Sequence, residues 1–286
     1  MNVGIFPNMS KSNLYKFWNE FIEYLKLKNI QYYIPKSYFE EFKKNNIEID
    51  ENHFKSIEWI GKNSRYIFSI GGDGSFLNAS KKMADYSVSI AGIHLGDLGF
   101  LNSIAVNDFK NRINQLIDGD YIEEKRAFLE AKIIYSNGNL KILHPALNDV
   151  VIGRGRIGTM VRMNLFVNQI FAKQYPADGM VFSTATGSTG YSLSCGGPIL
   201  FPCSEQFLVV PVCAHISKKF PIVLNPDDIV TITIPERQKS IEVSIDGEMS
   251  ESLSYGDRLE ISIIKKNINF IRFKNQNFLE MLNEKL

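Results

Sequence analysis

The sequence has few of the residues that build a disulfide framework or a transition-metal centre. Its three cysteines, Cys195, Cys203 and Cys213, do not match a CxxC zinc motif. An odd number of cysteines also argues against a disulfide framework. The four histidines form no HExxH or HxxxH pattern, so we expect no zinc-type site. We interpret the cysteines as buried thiols.

Long hydrophobic runs and a charge of one sign are also missing. No apolar run approaches the ~18 residues of a membrane span, and residues 1–6 lack the basic-then-apolar pattern of a signal peptide. The formal net charge of +1 argues against nucleic acid as a partner. We therefore expect a cytoplasmic protein that binds neither nucleic acid nor a membrane. Its 286 residues allow one large or two ordinary domains.

The first hundred residues alternate between strand and helix patterns. Short apolar runs at 2–6, 31–34, 65–70 and 87–93 are typical of buried strands, and helical spacing lies between them. This alternation predicts an α/β domain with a parallel, doubly wound sheet. Ligands bind such sheets at the carboxyl ends of the strands.

Residues 107–117 predict a further helix, and after it the pattern changes to short strands with few helices. Runs at 128–135 and 139–143 flank Asn137-Gly138, which is a strong hairpin signal. Further alternating or apolar runs continue to residue 273. They predict a β-rich, mostly antiparallel and sandwich-like C-terminal domain. We therefore divide the chain into an α/β domain, a β-rich domain and a C-terminal segment, over residues 1–104, 105–270 and 271–286.

The most informative stretch is the loop Gly71-Gly72-Asp73-Gly74-Ser75, between a predicted strand and a predicted helix. Glycine lets the backbone turn sharply and lets a ligand approach closely. Backbone N–H groups at a strand-to-helix turn suit an anion such as phosphate. Asp73 would repel phosphate, so we expect it to bind a metal or to accept a hydrogen bond from an attacking hydroxyl. The alternative is that Asp73 caps the helix.

Three other segments are candidates for ligand contacts. Phe100 follows a second glycine-rich loop and either stacks on a base or belongs to the core. Asn148 and Asp149 together offer donors and acceptors that suit a ribose or an amide, although turn chemistry before a strand is the alternative. Arg154 and Arg156 either reach phosphate or lie at a solvated hairpin tip.

A loop rich in hydroxyl groups spans residues 184–194 and follows Asp178-Gly179 and a predicted strand. Its Ser and Thr side chains can surround a phosphate or a sugar with neutral donors. The alternative is a polar surface loop, but Tyr191 and Leu193 argue against a fully solvated one. Neither the GxGxxG dinucleotide motif nor the GxxxxGK[ST] phosphate loop occurs in the sequence.

Taken in order, these segments resemble the NAD kinase family, whose members depend on ATP or polyphosphate. The resemblance covers about residues 66–250. Its motifs are Gly71-Gly72-Asp73-Gly74-Ser75, Gly92-Ile93-His94-Leu95-Gly96-Asp97-Leu98-Gly99-Phe100, Leu147-Asn148-Asp149, Asp178-Gly179, Gly187-Ser188-Thr189-Gly190-Tyr191, Gly196-Gly197-Pro198 and Ile245-Asp246-Gly247.

This resemblance implies an enzyme, a phosphotransferase with an alcohol acceptor. It would phosphorylate the 2′-hydroxyl of the adenosine ribose of NAD with ATP, another nucleotide or polyphosphate, and give NADP. The resemblance also implies an NAD kinase-like fold, a divalent metal such as Mg²⁺ with no protein ligand assigned, and a homo-oligomer, either a dimer or a tetramer. The C-terminal segment is expected to pack back on the first domain.

The resemblance also implies roles for individual residues. Asp73 would be the catalytic carboxylate at the 2′-hydroxyl, and the donor phosphate would bind Gly71, Gly72, Gly74 and Ser75. The residues implied for NAD binding are Asp73, Gly74, Phe100, Asn148, Asp149, Asp178, Thr189, Gly190, Tyr191 and Ser194. Within this set, Asp178 would serve the nicotinamide end and Phe100 the base.

Four positions depart from the family pattern. Ser75 stands where Thr is usual, Asp149 where Glu is common and Gly190 where Ala is frequent, and we expect each to be tolerated. Pro176, two positions before Asp178, stands where many members have a basic residue. If that basic residue contacts phosphate in other members, the preference for donor or substrate is expected to differ in this protein.

Two alternative functions are considered beside this one. A lipid or sugar kinase would share the GGDG loop, but Asn148-Asp149 and the hydroxyl-rich loop argue against it, and no amphipathic membrane-binding stretch is visible. A non-catalytic dinucleotide sensor is the second alternative, and the intact Asp73 argues against it.

Overall fold

The computed structural model describes residues 1–96, 99–153, 160–214, 220–235, 240–274 and 276–285, without the side chains of residues 249 and 250. Arg154 and Arg156, considered above as phosphate ligands, lie outside the described residues. The chain forms two compact units. The first comprises Met1–Lys125 and Ile268–Leu286, and the second comprises Arg126–Asn267.

The elements up to residue 134 are, in chain order, β1 (Asn2–Pro7), α1 (Asn13–Leu27), β2 (Gln31–Pro35), α2 (Phe39–Lys44), β3 (Phe54–Lys55), α3 (Ile57–Asn63), β4 (Tyr66–Gly71), α4 (Asp73–Met83), β5 (Ser89–His94), β6 (Ile104–Ala105), α5 (Phe109–Asp118) and β7 (Ile122–Ile134). Those that follow are β8 (Leu140–Ile142), β9 (Asp149–Gly153), β10 (Val161–Val167), β11 (Ile170–Ala177), β12 (Gly179–Ser183), α6 (Tyr191–Ser194), β13 (Phe207–Val212), β14 (Ile222–Leu224), β15 (Val230–Thr233), β16 (Ile241–Ile245), β17 (Glu248–Leu253), β18 (Arg258–Arg272) and α7 (Phe278–Lys285). Short 3₁₀ turns occupy Lys36–Tyr38, Glu51–His53 and Gly187–Thr189.

A parallel sheet forms the centre of the first unit. Strand β4 pairs in parallel with β1 on one side and with β5 on the other. Strand β1 also pairs in parallel with β2, and β2 pairs in parallel with β3. Every residue of β4 is buried, as expected for a parallel strand covered on both faces. The predicted α/β fold with a parallel sheet is confirmed for this unit.

Helix packing explains why the first unit extends to Lys125, beyond the predicted boundary after residue 104. Helix α1 buries an apolar stripe at three- and four-residue spacing that includes Phe17 and Phe21. Phe109 of α5 packs edge-on against Phe17, with ring centroids 5.1 Å apart. Ile113 and Leu116 of α5 join the same core. Helix α5 therefore belongs to the first unit.

The last residues of the chain also belong to the first unit. Asn269 and Phe270, near the end of β18, pair in parallel with Ser89 and Ile90 of β5. The Phe270 ring packs edge-on against Phe76 of α4, with centroids 4.5 Å apart. The sequence suggests two short strands between residues 259 and 273, whereas the structure has the single long strand β18.

The second unit is antiparallel, as predicted. Six strands pair in the order β14-β13-β12-β9-β16-β17, and four pair in the order β11-β10-β15-β18. One hydrophobic core takes side chains from both groups, among them Ile152, Met180, Met163 and Ile232. The predicted hairpin is present as β7 and β8, with Gly138 in the left-handed region at φ +86°.

Two further expectations concern the cysteines and the membrane. Cys203 and Cys213 are exposed and Cys195 is half-buried, so the interpretation of all three as buried thiols is wrong. Among the helices within the described ranges, none combines the length and the apolar character that crossing a bilayer requires.

Candidate active site

The glycine loop lies at the carboxyl end of β4, the edge where parallel sheets bind ligands. A Cβ at position 71 would overlap the Ser75 hydroxyl, whereas at Gly72 and Gly74 it would meet no atom within 4 Å. None of the three glycines has a positive φ, so the backbone conformation does not require glycine. What the glycines leave is open space over the backbone, where a ligand can approach closely.

Asp73 is held by the segment that follows β5. The backbone N–H of Phe100 donates to Oδ2 at 2.8 Å, and the backbone N–H of Leu101 donates to Oδ1 at 3.2 Å. The side-chain amide of Asn102 also donates to Oδ1, at 2.8 Å. Because Asp73 is the first helical residue of α4 and Gly72 is the cap, the helix-cap alternative does not hold.

The carboxylate of Asp73 keeps room for one more donor. Each carboxylate oxygen has two lone pairs; Oδ1 accepts two hydrogen bonds and Oδ2 accepts one. Asp73 is half-buried, and Gly99 allows its position because any Cβ there would overlap the carboxylate. The site therefore presents a fixed carboxylate oxygen that can accept a hydrogen bond from a hydroxyl.

Phe100 is half-buried and belongs to the segment whose backbone N–H groups donate to the Asp73 carboxylate. The ammonium of Lys285, at the end of α7, lies 5.3 Å from the centroid of the ring. This distance is within the range of a cation–π interaction. Phe100 is thus outside the buried core, and its ring is partly accessible.

A cavity of about 540 Å³ adjoins the other side of the glycine loop. Gly72, Gly74 and Ser75 line it from the loop, and Asn8 and Lys11 line it from the connection between β1 and α1. The Asn8 amide donates to the Ser75 hydroxyl at 2.9 Å. Three of the four predicted donor-phosphate residues, Gly72, Gly74 and Ser75, therefore lie in the wall of a pocket within the first unit.

In the second unit, the Asn148-Asp149 motif is held by an aspartate from another strand pair. The carboxylate of Asp246 accepts hydrogen bonds from the backbone N–H groups of Leu147, Asn148 and Asp149, at 3.0, 2.8 and 2.9 Å. Asp246 adopts φ +47° and precedes Gly247 at φ +82°, in the tight turn between β16 and β17. This turn conformation directs the Asp246 carboxylate toward the backbone N–H groups at the start of β9.

Asn148 has a side-chain acceptor that the described residues leave unsatisfied. Its Oδ1 atom is buried, and no group in the described parts of the chain donates to it. Its backbone carbonyl accepts from the N–H of Thr184 at 2.9 Å, and a Cβ at Gly187 would overlap that carbonyl. The structure therefore brings the Asn148-Asp149 motif against the start of the hydroxyl-rich loop.

The hydroxyl-rich loop divides into internal and outward groups. Ser188 is buried and donates to the carbonyl of Ala185 at 2.7 Å, and Ser192 is also buried. Tyr191 is 47% exposed and Ser194 is exposed. Partial burial raises the pKa of the Tyr191 hydroxyl above its usual value, so this group stays a hydrogen-bond donor. Thr189 is half-buried and Gly190 is exposed.

Asp178 lies apart from the Asn148-Asp149 motif. It connects β11 to β12 and is half-buried, whereas Asp149 pairs with Ser183 at the opposite end of β12. The five residues of β12 therefore separate the backbones of Asp178 and Asp149 by roughly 16 Å, at a rise of about 3.3 Å per residue. Pro176, the residue that departs from the family pattern, lies within β11 opposite Arg162.

Two residues of this arrangement were not identified from the sequence as contacts. Asn102 donates to Asp73, and nothing in the sequence around it distinguishes it from a loop residue. Asp246 was noted as part of a motif, but its role in holding residues 147–149 was not predicted. Its position before Gly247, at the end of an apolar strand, is a turn signal that could have pointed to it.

Comparison with known protein families gives a match in each unit. Residues 3–121 match the family model described as the ATP-NAD kinase N-terminal domain, and residues 147–273 match that described as the ATP-NAD kinase C-terminal domain. The chain is 34% identical over 284 residues to the NAD kinase of Thermoanaerobacter sp. (strain X514), covering 99% of this chain and 98% of the relative. It is 36% identical over 236 residues to the NAD kinase of Caldanaerobacter subterraneus subsp. tengcongensis, covering 82% and 83%.

Solved structures show the same fold at lower sequence identity. Yeast NADH kinase, solved with NADH, matches with a TM-score of 0.88 and 23% identity, over all of this chain and 87% of that one. An NAD kinase from Archaeoglobus fulgidus, solved with ATP, matches with a TM-score of 0.73 and 21% identity, over all of this chain and 98% of that one. These likenesses support the two-part architecture predicted from the sequence.

Proposed function

Because the chain belongs to the ATP-NAD kinase family, we propose that Asp73 is the catalytic carboxylate with which it converts NAD to NADP. The reaction transfers a phosphoryl group to the 2′-hydroxyl of the adenosine ribose. The bond between that oxygen and phosphorus forms as the bond from phosphorus to the leaving group of the donor breaks. The observation that carries the proposal is the geometry of Asp73, fixed by three donors with one acceptor position left on Oδ2.

Asp73 would orient the hydroxyl and take its proton. Phosphoryl transfer passes through a largely dissociative transition state, so the proton need leave the hydroxyl only late. The Asp73 carboxylate can therefore act as the base, and its larger contribution is to hold the attacking oxygen in place.

The phosphoryl donor would bind over the glycine loop, next to Asp73. The open space over Gly72 and Gly74 and the adjoining cavity of about 540 Å³ support this placement. The first N–H groups of α4 lack partners within the helix and suit phosphate oxygens. Gly71 contributes by letting Ser75 approach the loop. We propose ATP as the donor, with other nucleoside triphosphates and polyphosphate as alternatives to be compared in the same assay.

A divalent cation, most simply Mg²⁺, would accompany the donor. Within the described ranges, no group of three or more His, Cys, Asp or Glu side chains could hold a metal ion. This fits Mg²⁺, which keeps several waters and commonly binds through one or two protein groups plus substrate phosphates. The Ser75 hydroxyl is one protein group beside the loop that would be able to bind the cation. When bound, the cation would neutralise charge on the donor phosphates.

The second unit would supply most of the NAD contacts. The buried acceptor of Asn148 and the adjacent Asp149 suit ribose hydroxyls, and Thr189, Gly190, Tyr191 and Ser194 would line the adenosine pocket. Asp178 would serve the nicotinamide end, and its distance from Asp149 along β12 agrees with the two ends of a dinucleotide. From the first unit, Gly74 and Phe100 would also contact NAD, with Phe100 stacking on a base.

We also propose that the enzyme works in the cytoplasm as a homo-oligomer, a dimer or a tetramer, as the family resemblance implies. Light scattering coupled to size-exclusion chromatography measures the assembly directly. A single species with the mass of one chain would overturn this part of the proposal.

The function is tested with a coupled assay. Purified protein is incubated with NAD, ATP and Mg²⁺, and NADP is detected with an NADP-specific dehydrogenase, while NAD affinity is measured by calorimetry. The variant Asp73→Asn is expected to lose about 10²-fold or more in turnover, as typical for removal of a general base. Its NAD affinity should stay within about threefold of wild type, because the amide keeps the shape of the carboxylate.

The matched control is Asp50→Asn, the same substitution in the same unit. Asp50 caps a short 3₁₀ turn by accepting from the N–H of Asn52, and Asn caps a helix about as well as Asp. This variant should keep wild-type turnover. Loss of NAD binding in Asp73→Asn would mean that Asp73 holds the ligand instead of activating it. Binding without turnover in wild type would favour the dinucleotide sensor.

A further inference from the structure

Arg272 lies behind the segment that holds Asp73. It is the last residue of β18 and is 6% exposed. Its Nη2 atom donates to the carbonyl of Phe100 at 2.9 Å, and its Nη1 atom donates to the carbonyl of Asn102 at 3.4 Å. Its Nε atom donates to a carboxylate oxygen of Glu124 at 3.2 Å. The guanidinium therefore contacts two carbonyls of one short segment at once.

The segment from Phe100 to Asn102 has two sides with different partners. On one side, two backbone N–H groups and the Asn102 amide donate to Asp73. On the other side, two backbone carbonyls accept from Arg272. The same residues thus receive hydrogen bonds from the arginine and give hydrogen bonds to the carboxylate. Arg272 and Asp73 are therefore connected through this one segment.

Arginine is suited to this position because its planar fork holds several donors in fixed directions. A buried guanidinium is costly unless it is paired, and Glu124 supplies the opposite charge. The surrounding sequence, Ile268-Asn269-Phe270-Ile271-Arg272-Phe273, is otherwise apolar at most positions. The hydrogen bonds to Glu124 and to the carbonyls of Phe100 and Asn102 explain why a charged residue stands at the end of such a strand.

The rest of the C-terminal segment contacts the same region. The side-chain amide of Gln276 donates to the carbonyl of Ser103 at 2.6 Å, and Lys285 lies over the Phe100 ring. A cavity of about 150 Å³, lined in part by Asn102, Arg272 and Gln276, lies next to these contacts. The segment therefore has space to move if Arg272 no longer holds it.

We propose that Arg272 is a positioning residue for phosphoryl transfer, acting through residues 100–102 to fix the orientation of the Asp73 carboxylate. The proposal rests on the proposed role of Asp73. Arg272 makes no contact with the open acceptor position on Oδ2, so it would influence the rate of transfer more than the affinity for NAD. A misplacement of about 1 Å can cost on the order of 10²-fold in rate.

The first test compares Arg272→Gln, Arg272→Lys and wild type in turnover, KM for NAD and thermal unfolding. Arg272→Gln should lose at least about tenfold in kcat with KM for NAD within about threefold, because positioning is lost while the NAD contacts remain. Arg272→Lys keeps the charge near Glu124 but loses the planar fork, and should recover part of kcat.

The matched control is Arg112→Gln, at a second buried arginine of the same unit. Arg112 pairs with Asp108 and lies over the Phe273 ring. Neither of these contacts involves residues 100–102, so the loss of Arg112 is expected to act through stability. It should lower the melting temperature with kcat within about threefold of wild type. Equal losses of kcat in Arg112→Gln and Arg272→Gln would mean that Arg272 acts only through stability, which would overturn the proposal.

A double-mutant cycle with Asp73→Asn decides the mechanism. If Arg272 acts through Asp73, adding Arg272→Gln to Asp73→Asn should change the residual rate by less than about threefold, because coupled residues are not additive. A full further loss of about tenfold would overturn the proposal. Should Arg272→Gln fail to fold, Arg272→Lys replaces it in the same cycle.

The cycle also separates this proposal from the proposed function. If wild type makes no NADP, or if Asp73→Asn turns over normally, the role of Asp73 fails and the inference fails with it. If Asp73→Asn loses turnover and the losses of the two variants multiply, only the role of Arg272 fails.

Discussion

Each unit contains an aspartate whose carboxylate accepts three hydrogen bonds from one short segment. Asp73 accepts from residues 100–102, and Asp246 accepts from residues 147–149. In both, these three bonds divide two to one between the carboxylate oxygens. Three hydrogen bonds from one short segment therefore do not distinguish a reactive carboxylate from one that supports its neighbours.

What differs is the surroundings of each carboxylate. Asp73 stands next to open space over Gly72 and Gly74, so a substrate can reach it, and its donors hold it still. Asp246 lies in a tight turn and holds the backbone of Asn148 and Asp149, which are the residues proposed above to contact NAD. In the first unit the segment orients the aspartate, whereas in the second unit the aspartate orients the segment.

This comparison makes its strongest prediction at Gly99. A Cβ there would overlap the Asp73 carboxylate and would displace it from the three donors that hold it. Gly99→Ala should therefore lower kcat by about 10²-fold, because the carboxylate is displaced, and should also lower the melting temperature, because the donors lose their acceptor. Steady-state kinetics beside thermal unfolding checks this. Normal turnover in a folded Gly99→Ala protein would show that the orientation of Asp73 is not important.

A smaller and different effect is expected for Asp246→Asn in the second unit. Asn tolerates the left-handed conformation of this turn, so the backbone is kept. In the variant, the NH₂ group of the amide faces a backbone N–H that in the wild-type protein donates to a carboxylate oxygen of Asp246. Loss of a hydrogen bond to a charged group should raise KM for NAD about tenfold and leave kcat nearly unchanged. A fall in kcat without a change in KM would contradict the distinction between the two aspartates.

The smallest effect is expected at Gly190, where the family often has Ala. A Cβ there would have a single close neighbour, the carbonyl oxygen of Gly187 at 3.3 Å. This contact is tight but can be relieved by a small shift of the loop. Gly190→Ala should keep kcat/KM for NAD within about twofold of wild type. A larger loss would show that the loop must hold its conformation more closely than its exposure suggests.

Local patterns identified much of the architecture from the sequence. The apolar run 65–70 and the loop after it predict a buried strand and a strand-to-helix turn, because burial on both faces and glycine leave clear traces in a sequence. Asn137-Gly138 identifies its hairpin for the same reason. The family motifs add the implied site residues, which local patterns alone leave ambiguous.

Contacts between distant parts of the chain could not be predicted in the same way. Asn102 meets Asp73, and Arg272 meets Phe100 across 172 positions of sequence. No local spacing encodes such a pair, since it depends on which strand ends meet at one edge of the sheet. The boundary after residue 104 shifted for the same reason, because the place of α5 depends on packing against α1.

The pairing of β18 with β5 has a consequence for the order in which the chain becomes complete during synthesis. The residues of the second unit are contiguous, whereas the first unit needs both the beginning and the end of the chain. A chain that has grown only to residue 267 holds all of the second unit. It still lacks the strand beside β5 and the rings of Phe270 and Phe273 that fill the core of the first unit. The unit that is synthesised first is therefore the last to have all of its parts.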